Sequence, residues 1–598
     1  MSAHVGTWRL VRAEAVDADG NPRPAPFGGE NVIGRIVLTA DGRMSASIVD
    51  ARASIPEGER REYSCYAGAY RFDGKTLITT VDACSDPARM GTEQVRDVSF
   101  EGELMVLRPP LRSSATTLRK RPMTKQSAFE EVMAARGKGM PAAGEVSMTG
   151  QDPVYSTKFK IGETVAAVLA GVGTAVNDIH ELKTGRRQKV AIDTRHAAAT
   201  LRSGDYVLKQ SPSGSFEPTV GPAHRAMIGL TQPWPAKDGR WVLPHFGLPH
   251  LQARMQKLLG CEATPESVSK AVAKWDALDL EAAIDEHKVC GGMVRTNAEW
   301  LAEEHGKVLA AKPIVEIIKI ADSEPEPMPA GERPLSGIRV LDLTRILAGP
   351  TCARTLAEHG ADVLMVTAEG LPQLEHALID TNHGKRSTYL DLKDPADNVK
   401  LRELVREADV FSQGYRPGTI GTMGFSAEEL AEVRPGIIYT SISCYGADGP
   451  FSHRAGWEQV AQTMVGICHE GTPDHPKLLP AAANDYITGY LGAYGILVAL
   501  ARRATEGGSY HVRVSLCQSG MFIYRQGDVG YQQPDMDLSQ AELDALRVES
   551  HPAIGAIRHL GPVLRLSDTP PRWERPTPAL GGDAPVWLER GAAAQAAE

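Results

Sequence analysis

Several classes of protein are excluded by what this 598-residue sequence lacks. Its eight cysteines include no CxxC pair and no Cys/His metal spacing, so we expect reduced structural thiols and no bound metal. No run approaches the ~20 apolar residues that a membrane span needs. The net charge of −9 is spread along the chain without a long basic run, so nothing indicates a nucleic acid or an anionic membrane surface as a partner.

The composition is typical of a soluble, loop-rich α/β protein. Aromatic residues make up only 6% of the chain, whereas its 58 glycines and 40 prolines are plentiful. The length predicts two to four domains, because one hydrophobic core does not serve so long a chain. The opening residues MSAHVGTWRL have no basic region followed by an apolar core, so we expect a cytoplasmic protein.

The first 120 residues predict a separate all-β unit. Short alternating segments are separated by Asp41-Gly42 and Asp73-Gly74, and Asp-Gly between such segments is a strong hairpin signal. A small barrel is the simplest arrangement. The unit resembles the lipocalin-like domain family at Gly6-Thr7-Trp8, 34–44, 66–70 and 116–122. The resemblance implies a small apolar ligand inside the barrel, and the alternative is a filled barrel that only aids folding or assembly.

The most informative stretch runs from Leu479 to Arg513. A loop of Pro480, three alanines and Asn484 delivers the carboxylate of Asp485 to the start of a long apolar helix, predicted from about Tyr486 to Ala504. An aspartate there caps the helix by accepting free N–H groups of its first turn. The same position suits a nucleophile, since the positive helix end favours the ionised form. The stretch alone leaves both interpretations open.

An internal repeat of this stretch lies at residues 160–203. Aligning Gly185 with Gly507 gives an offset of 507 − 185 = 322, which places Glu163 on Asp485. Both copies have a carboxylate before an Ala/Gly/Val-rich helix, a glycine turn and a strand. No Pro-Ala-Ala-Ala loop precedes Glu163, so we interpret this residue as structural.

From Leu335 the pattern alternates between strands and helices. LSGIRVLDL predicts a strand, TCARTLAEHG a helix and ADVLMV the next strand, which together form a βαβ unit of a parallel sheet. The GxGxxG and GxxxxGKS fingerprints are absent from this region, so we predict no dinucleotide or ATP site.

Five tracts of this region resemble the family III CoA-transferases, which include formyl-CoA and carnitine CoA-transferases and α-methylacyl-CoA racemase. They follow one another in the family's order and spacing: LSGIRVLDLTRILAGP, NHGKRSTYLDLKDP, ADVFSQGYRPGTIGTMGF, RPGIIYTSISCYGADGP and AAANDYITGYLGAYGILVAL. Earlier segments, GRRQKVAID and the DGRWV region, resemble parts that follow the catalytic half in that family. We therefore expect two unequal half-copies.

The predicted fold class is multidomain: an all-β small barrel of lipocalin-like type precedes an α/β, Rossmann-like CoA-transferase family III fold with a smaller α-rich domain. The predicted segments are a barrel at 1–122, a linker at 123–154, a first half-copy with the small domain at 155–330, a Rossmann-like catalytic half at 335–565, and a tail at 566–598. The linker is predicted from its Lys, Gly, Ala, Met and Ser content, and the segment includes one short helical pattern.

The resemblance implies that Asp485 forms covalent intermediates, including an aspartyl-CoA thioester, while CoA moves from an acyl-CoA to a carboxylic acid. CoA is then a cosubstrate, and no cofactor is bound permanently. Backbone N–H groups near Leu347 and Ala348 match positions that line the reacting thioester. The residues that match CoA-holding stretches are Lys393, Gly414, Tyr415, Arg416, Cys444 and Tyr445. The resemblance also allows a homodimer.

Two departures from the family weaken the resemblance locally. Ala368-Glu369 stand where the family often has basic residues after the second strand, and the DGRWV region has no glycine-rich lid. A racemase of the same family needs a histidine in an Ala-Gly-His tract, but this sequence has Trp457 there, and His453 lies four residues earlier. The remaining alternative, from another class, is a non-catalytic acyl-CoA-binding protein.

Overall fold

A computed structural model describes residues 4–16, 22–23, 32–52, 63–85, 91–108, 114–120, 127–472, 474–531 and 537–590. The chain separates into two compact units, 1–126 and 127–598. The predicted end of the barrel at residue 122 and the first residues of the predicted linker lie outside the described residues. Within the described residues, none of the helices has the length and apolar character needed to cross a membrane.

The first unit is a curled β-sheet, as the alternating sequence predicts. Its described strands are β1 Gly6–Val16, β2 Pro22–Arg23, β3 Val32–Leu38, β4 Arg43–Asp50, β5 Tyr63–Phe72, β6 Thr76–Cys84, β7 Glu93–Glu101, β8 Leu104–Arg108 and β9 Ser114–Lys120. Neighbouring strands are antiparallel, and β1 also pairs with β9, which closes the sheet. Trp8 and Met105 lie in its apolar core. Gly42 and Gly74, in the two predicted turns, have φ of 83° and 100°.

The second unit contains the helices and the remaining strands. Its helices are α1 Ala128–Arg136, α2 Ile161–Thr184, α3 Thr194–Thr200, α4 Pro222–Leu230, α5 Pro249–Leu259, α6 Pro265–Val272, α7 Ala277–Glu286, α8 Asn297–Ala302, α9 Glu304–Ala310, α10 Ala348–Glu358, α11 Glu375–Thr381, α12 Pro395–Val405, α13 Ala427–Val433, α14 Glu458–Val465, α15 Ala483–Glu506, α16 Leu516–Arg525 and α17 Gln540–Leu546. Its strands are β10 Val146–Thr149, β11 Val190–Asp193, β12 Leu208–Gln210, β13 Phe216–Pro218, β14 Trp234–Pro235, β15 Trp241–Pro244, β16 Gly291–Met293, β17 Glu316–Ala321, β18 Arg339–Leu343, β19 Asp362–Thr367, β20 Arg386–Tyr389, β21 Val410–Gln413, β22 Ile438–Ser443, β23 Ser509–Ser515, β24 Arg547–Ser550, β25 Ile557–Leu560 and β26 Arg565–Leu566.

A seven-stranded sheet organises this unit, in the order β17-β23-β22-β21-β18-β19-β20. All neighbouring pairs are parallel except β17 with β23. The predicted βαβ unit is β18, α10 and β19. A smaller body with its own apolar core surrounds the short sheet β14-β15-β16 and includes α5, α6 and α7. It corresponds to the predicted α-rich small domain.

Helices α2 and α15 pack against each other. Each is 24 residues long, and their first residues are separated by 483 − 161 = 322 positions. The helices that follow, α3 and α16, begin 516 − 194 = 322 positions apart. The offset that the glycine turns suggested therefore holds across both helices.

Two segments predicted to lie outside the domains are packed instead. Helix α1, in the predicted linker, buries Phe129, Val132 and Met133 in the main core, because its apolar residues recur on one helical face. In the predicted tail, the indole N–H groups of Trp573 and Trp587 donate to backbone carbonyls of α10 and α12. Large apolar side chains pack both segments against the second unit. The Lys/Gly-rich or Pro-rich composition around these side chains does not indicate such packing.

Candidate active site

Asp485 lies in the first turn of α15, at the base of a cavity of about 310 Å³. The predicted cap position is wrong: the helix begins three residues earlier than expected, and the side chain of its N-cap, Ala482, makes no capping hydrogen bond. Asp485 is the third helical residue and its side chain is largely buried, with 7% of the residue exposed. The carboxylate therefore faces the cavity instead of closing the helix end.

A second carboxylate, Glu458 at the start of α14, takes over the capping. It accepts the backbone N–H of Asn484 at 3.2 Å and that of Asp485 at 2.5 Å. Burial raises the pKa of Glu458 to about 7. Burial and the neighbouring Glu458 charge raise the pKa of Asp485 well above its ordinary value. Two buried carboxyl groups in one site thus hold protons that exposed ones would lose.

Next to this pair, His245 orients an amide towards the cavity. Its Nδ1 accepts the N–H of Gly247 at 3.0 Å, so the ring proton is on Nε2, which lies 3.1 Å from Oε1 of Gln459. The amide N–H groups of Gln459 are thereby left for the cavity that both residues line. Burial lowers the pKa of His245 to about 4, and the Trp457 ring packs on the imidazole with a centroid distance of 4.7 Å.

The loop between β18 and α10 forms another wall. Ile346 lines the cavity with φ of 76°, a left-handed conformation that costs a β-branched residue energy and often occurs at functional sites. Leu347 follows as the N-cap of α10 and also lines the cavity. Ala348 is the first helical residue. The predicted thioester positions thus lie at a helix N-terminus beside Asp485.

The loop after β11 and α3 reaches the same site from the first half of the chain. The hydroxyl of Tyr486 accepts hydrogen bonds from Ser203 Oγ at 3.0 Å and from the N–H of Gly204 at 3.2 Å. It also lies 3.3 Å from the carboxylate of Asp380 in α11. These contacts fix the loop against the first turn of α15, so both parts of the second unit build one cavity.

The predicted CoA-holding residues divide into two groups. Lys393 follows β20 and Gly414, Tyr415 and Arg416 follow β21, so they lie at the same edge of the sheet as the loop after β18. Lys393 and Arg416 are exposed. Arg345 reaches the loop after β19, where the family's basic residue is missing, and donates to the carbonyl of Pro372.

Cys444 and Tyr445 follow β22 and are buried. The carbonyl of Tyr445 accepts from His305, and its ring meets His305 and Phe451 edge to face. Cys444 Sγ is 3.9 Å from the carbonyl of Trp457. Neither residue lines the cavity of Asp485, so the structure gives both a packing position.

Sequence reasoning missed Glu458, Gln459 and His245. Glu458 directly follows the Arg454-Ala455-Gly456-Trp457 tract, and an acid placed there is the one signal that sequence offered. His245 and Gln459 are 214 residues apart in the chain, and only folding brings them together.

The first copy of the helix has the same capping arrangement. Asp152 accepts the N–H of Gly162 at 3.2 Å and that of Glu163 at 2.7 Å, and the offset of 322 places these two residues on Asn484 and Asp485. The Glu163 carboxylate is instead paired with Lys160 at 2.9 Å and partly exposed. Across the described ranges, no cluster of His, Cys, Asp and Glu is suited to a metal ion.

Comparison with known proteins identifies the family of each unit. The model of CoA-transferase family III matches residues 119–329 and 335–535, and the model of the lipocalin-like domain matches residues 5–131. Acetyl-coenzyme A transferase nodX of Hypoxylon pulicicidum is 33% identical over 418 residues, which are 62% of this chain and 70% of that protein. An acyl-CoA transferase of Gibberella moniliformis is 37% identical over 276 residues, 44% of this chain and 48% of that protein.

Succinyl-CoA:glutarate CoA-transferase of Mus musculus is 35% identical over 214 residues, 33% of this chain and 49% of that protein. The chain thus spans about half the length of the Gibberella and mouse proteins that it matches. The two family-model matches together cover more than half of the sequence. The chain therefore belongs to CoA-transferase family III and carries a lipocalin-like domain at its N-terminus.

Proposed function

We propose that the protein moves CoA between an acyl-CoA and a carboxylic acid through an aspartyl-CoA thioester on Asp485. The observation that carries this proposal is a buried carboxylate, held at a helix start, at the base of a cavity. Its raised pKa reflects a poorly solvated carboxylate, which is a stronger nucleophile than a hydrated one once it is ionised.

The exchange proceeds through a mixed anhydride, an aspartyl-CoA thioester and a second anhydride. A carboxylate oxygen of Asp485 attacks the thioester carbonyl of the acyl-CoA, the C–S bond breaks, and a mixed anhydride and CoA thiolate form. The thiolate attacks the aspartyl carbonyl and releases the first acid. The acceptor carboxylate then opens the aspartyl-CoA thioester, and the thiolate takes up the new acyl group from the second anhydride. Backbone N–H groups near Leu347 and Ala348, together with the Gln459 amide, are suited to hold the developing oxyanions.

CoA itself is proposed to lie along the carboxyl edge of the parallel sheet. Ligands bind at this edge in open α/β sheets, and Lys393, Gly414, Tyr415 and Arg416 all lie there. The exposed ammonium and guanidinium groups suit phosphates through charge-assisted hydrogen bonds. A racemase is less well supported, because the cavity has the indole of Trp457 where that reaction needs a titrating group.

We also propose that 155–330 and 335–565 are unequal half-copies that together form one active site. The common offset of α2 and α15, and the matching roles of Asp152 and Glu458, support this proposal. Only the second copy leaves its acid unpaired by a nearby lysine: Glu163 has Lys160, whereas the pKa of Asp485 is raised by burial and by the Glu458 charge. One acid therefore serves catalysis.

The test is intact mass of the protein after incubation with acyl-CoAs. The wild-type protein should gain the mass of CoA less one water, and hydroxylamine should remove the adduct. Asp485→Asn, which has nearly the same shape, should form no adduct and lose exchange activity by several orders of magnitude while its thermal unfolding changes little. An adduct on Asp485→Asn, or unchanged turnover, would contradict the proposal.

Glu163→Gln is the matched control. It makes the same kind of change at the equivalent position of the first copy, where the acid is paired with Lys160. We expect normal adduct formation and turnover. Equal losses in both variants would show that both copies carry active acids.

A further inference from the structure

The walls of the Asp485 cavity are mainly apolar, although the site must accept a carboxylate. Met227 of α4 and Leu374 of the loop before α11 face the cavity, as do Leu478 of the loop before α15 and Trp457. The volume of about 310 Å³ lies near the lower end of the range for small-molecule sites, about 300–1,000 Å³. Room for a medium-sized acyl body therefore exists beside Asp485.

Among the described residues that line this cavity, Arg202 is the one arginine, and it is already paired with two aspartates. Arg202 Nε lies 3.2 Å from Asp205, and its Nη1 lies 3.2 Å from Asp537. Its guanidinium also lies over the rings of Tyr155 and Tyr206, at 5.7 and 5.5 Å from their centroids. A second carboxylate on a substrate would have to compete with two aspartates for this cation.

The other ionisable groups of the cavity also disfavour a second negative charge. His245 is uncharged at neutral pH, since burial lowers its pKa to about 4. His376 is already engaged in other interactions. The remaining groups, Asp205, Glu458 and Asp485, are acids. A distal carboxylate would thus lose its hydration beside other acidic groups without gaining a free cation.

We propose, on the basis of the proposed transferase function, that the acid exchanged is an apolar monocarboxylic acid of medium size. Its carboxylate reacts at Asp485, and its apolar body packs against the side chains of α4 and the two loops. This substrate class differs from the dicarboxylic acid named for the mouse relative. The cavity would favour such an acid over a dicarboxylic acid for two reasons. Its walls offer apolar contact, and the described residues that line it include no unpaired cation.

Two acceptors of nearly equal shape test this inference. In 5-methylhexanoate an isopropyl group replaces the distal carboxylate of glutarate. With acetyl-CoA as donor, kcat/KM for 5-methylhexanoate should exceed that for glutarate by about tenfold or more. A CoA adduct on Asp485 combined with equal use of both acids, or with preference for glutarate, would overturn the inference and leave the transferase function intact. Failure to form the adduct with any donor would instead remove both.

A cation introduced into the wall should reverse the preference. Leu478→Arg should change the ratio of the two kcat/KM values towards glutarate by about tenfold. Leu278→Arg is the matched control, since Leu278 is 59% exposed on α7 and does not line the cavity. It should leave the ratio unchanged. An unaltered ratio in folded Leu478→Arg would contradict a role of these walls in selection, and the comparison of acceptors in the unmodified protein stands independently of this variant.

Discussion

At the scale of single residues, the pair of Glu458 and Asp485 sets the pH dependence. In the proposed mechanism Asp485 must be ionised to attack, and its pKa is raised by burial and by the Glu458 charge. Adduct formation should therefore increase as the pH rises. Glu458→Gln removes the like charge, so the profile should shift to lower pH. Single-turnover adduct formation measured against pH checks this shift, and a profile that stays in place would show that burial alone raises the Asp485 pKa.

Glu458 should also make the free energy of unfolding depend on pH. Its contribution should decrease as the pH rises, whereas adduct formation should increase. The folded-state pKa of Glu458 is raised from 4.5 to about 7, so its protonation stabilises the fold fully below pH 4.5, and this contribution is lost as the pH rises to about 7. The difference in unfolding free energy between the wild type and Glu458→Gln should decrease across that interval. Denaturant unfolding at several pH values measures it.

Substitution of Lys393 tests where the nucleotide end of CoA lies. Its ammonium group is exposed after β20, at the carboxyl edge of the sheet. If it meets the 3′-phosphate, Lys393→Ala should weaken the binding of CoA by about tenfold and leave dephospho-CoA nearly unaffected. Calorimetry with both ligands separates the cases. Equal losses would place Lys393 near another part of the ligand, and no loss would remove it from the site.

At the scale of elements, the close packing of α10 on α15 positions the Leu347 loop beside Asp485. A Cβ on Gly489 would lie 2.5 Å from the carbonyl oxygen of Ala348 and 2.8 Å from Thr351 Cβ. The two helices therefore approach this closely only because residue 489 has no side chain. Helix packing thus holds the proposed oxyanion donors at a fixed separation from the proposed nucleophile.

Gly489→Ala should push the two helices apart. We expect a loss of about 1–3 kcal/mol in unfolding free energy, because the neighbour is backbone and cannot rotate away, and slower adduct formation. Gly492→Ala is the control on the same helix. Its Cβ would lie 3.1 Å from Cys352 Sγ, a tight contact that a small shift relieves, so the gain in helix propensity of about 1 kcal/mol should nearly compensate. Equal effects of both changes would contradict the packing argument.

At the scale of the whole molecule, the two units have separate hydrophobic cores. A protein that lacks residues 1–126 should therefore fold and form the CoA adduct, and its turnover should have the wild-type kcat. Circular dichroism and intact mass after incubation with acyl-CoA check this prediction. Loss of folding would show that the β unit is integral to the transferase unit, whereas an unchanged kcat with a raised KM would indicate that it supplies substrate.

Much of this arrangement could be predicted from local patterns. Asp-Gly turns between alternating segments predicted the curled sheet, because side chains in strands alternate between two faces. The strand and helix tracts after Leu335 predicted the βαβ unit. The small-residue loop before Asp485 indicated a carboxylate that lines the cavity. Each of these signals arises from residues that are close together in the sequence.

The tertiary structure alone decided what surrounds Asp485. The acid lies inside the helix instead of capping it because Glu458, 27 residues earlier in the chain, accepts the N–H groups of its first turn. Tyr445 is packed among aromatic rings of the core, although its tract suggested a ligand contact. The guanidinium of Arg202 is paired with Asp537, which is 335 residues away in the chain. Local sequence determines strands, helices and turns through backbone and periodic side-chain preferences, whereas burial and charge pairing depend on partners that only the folded chain brings together.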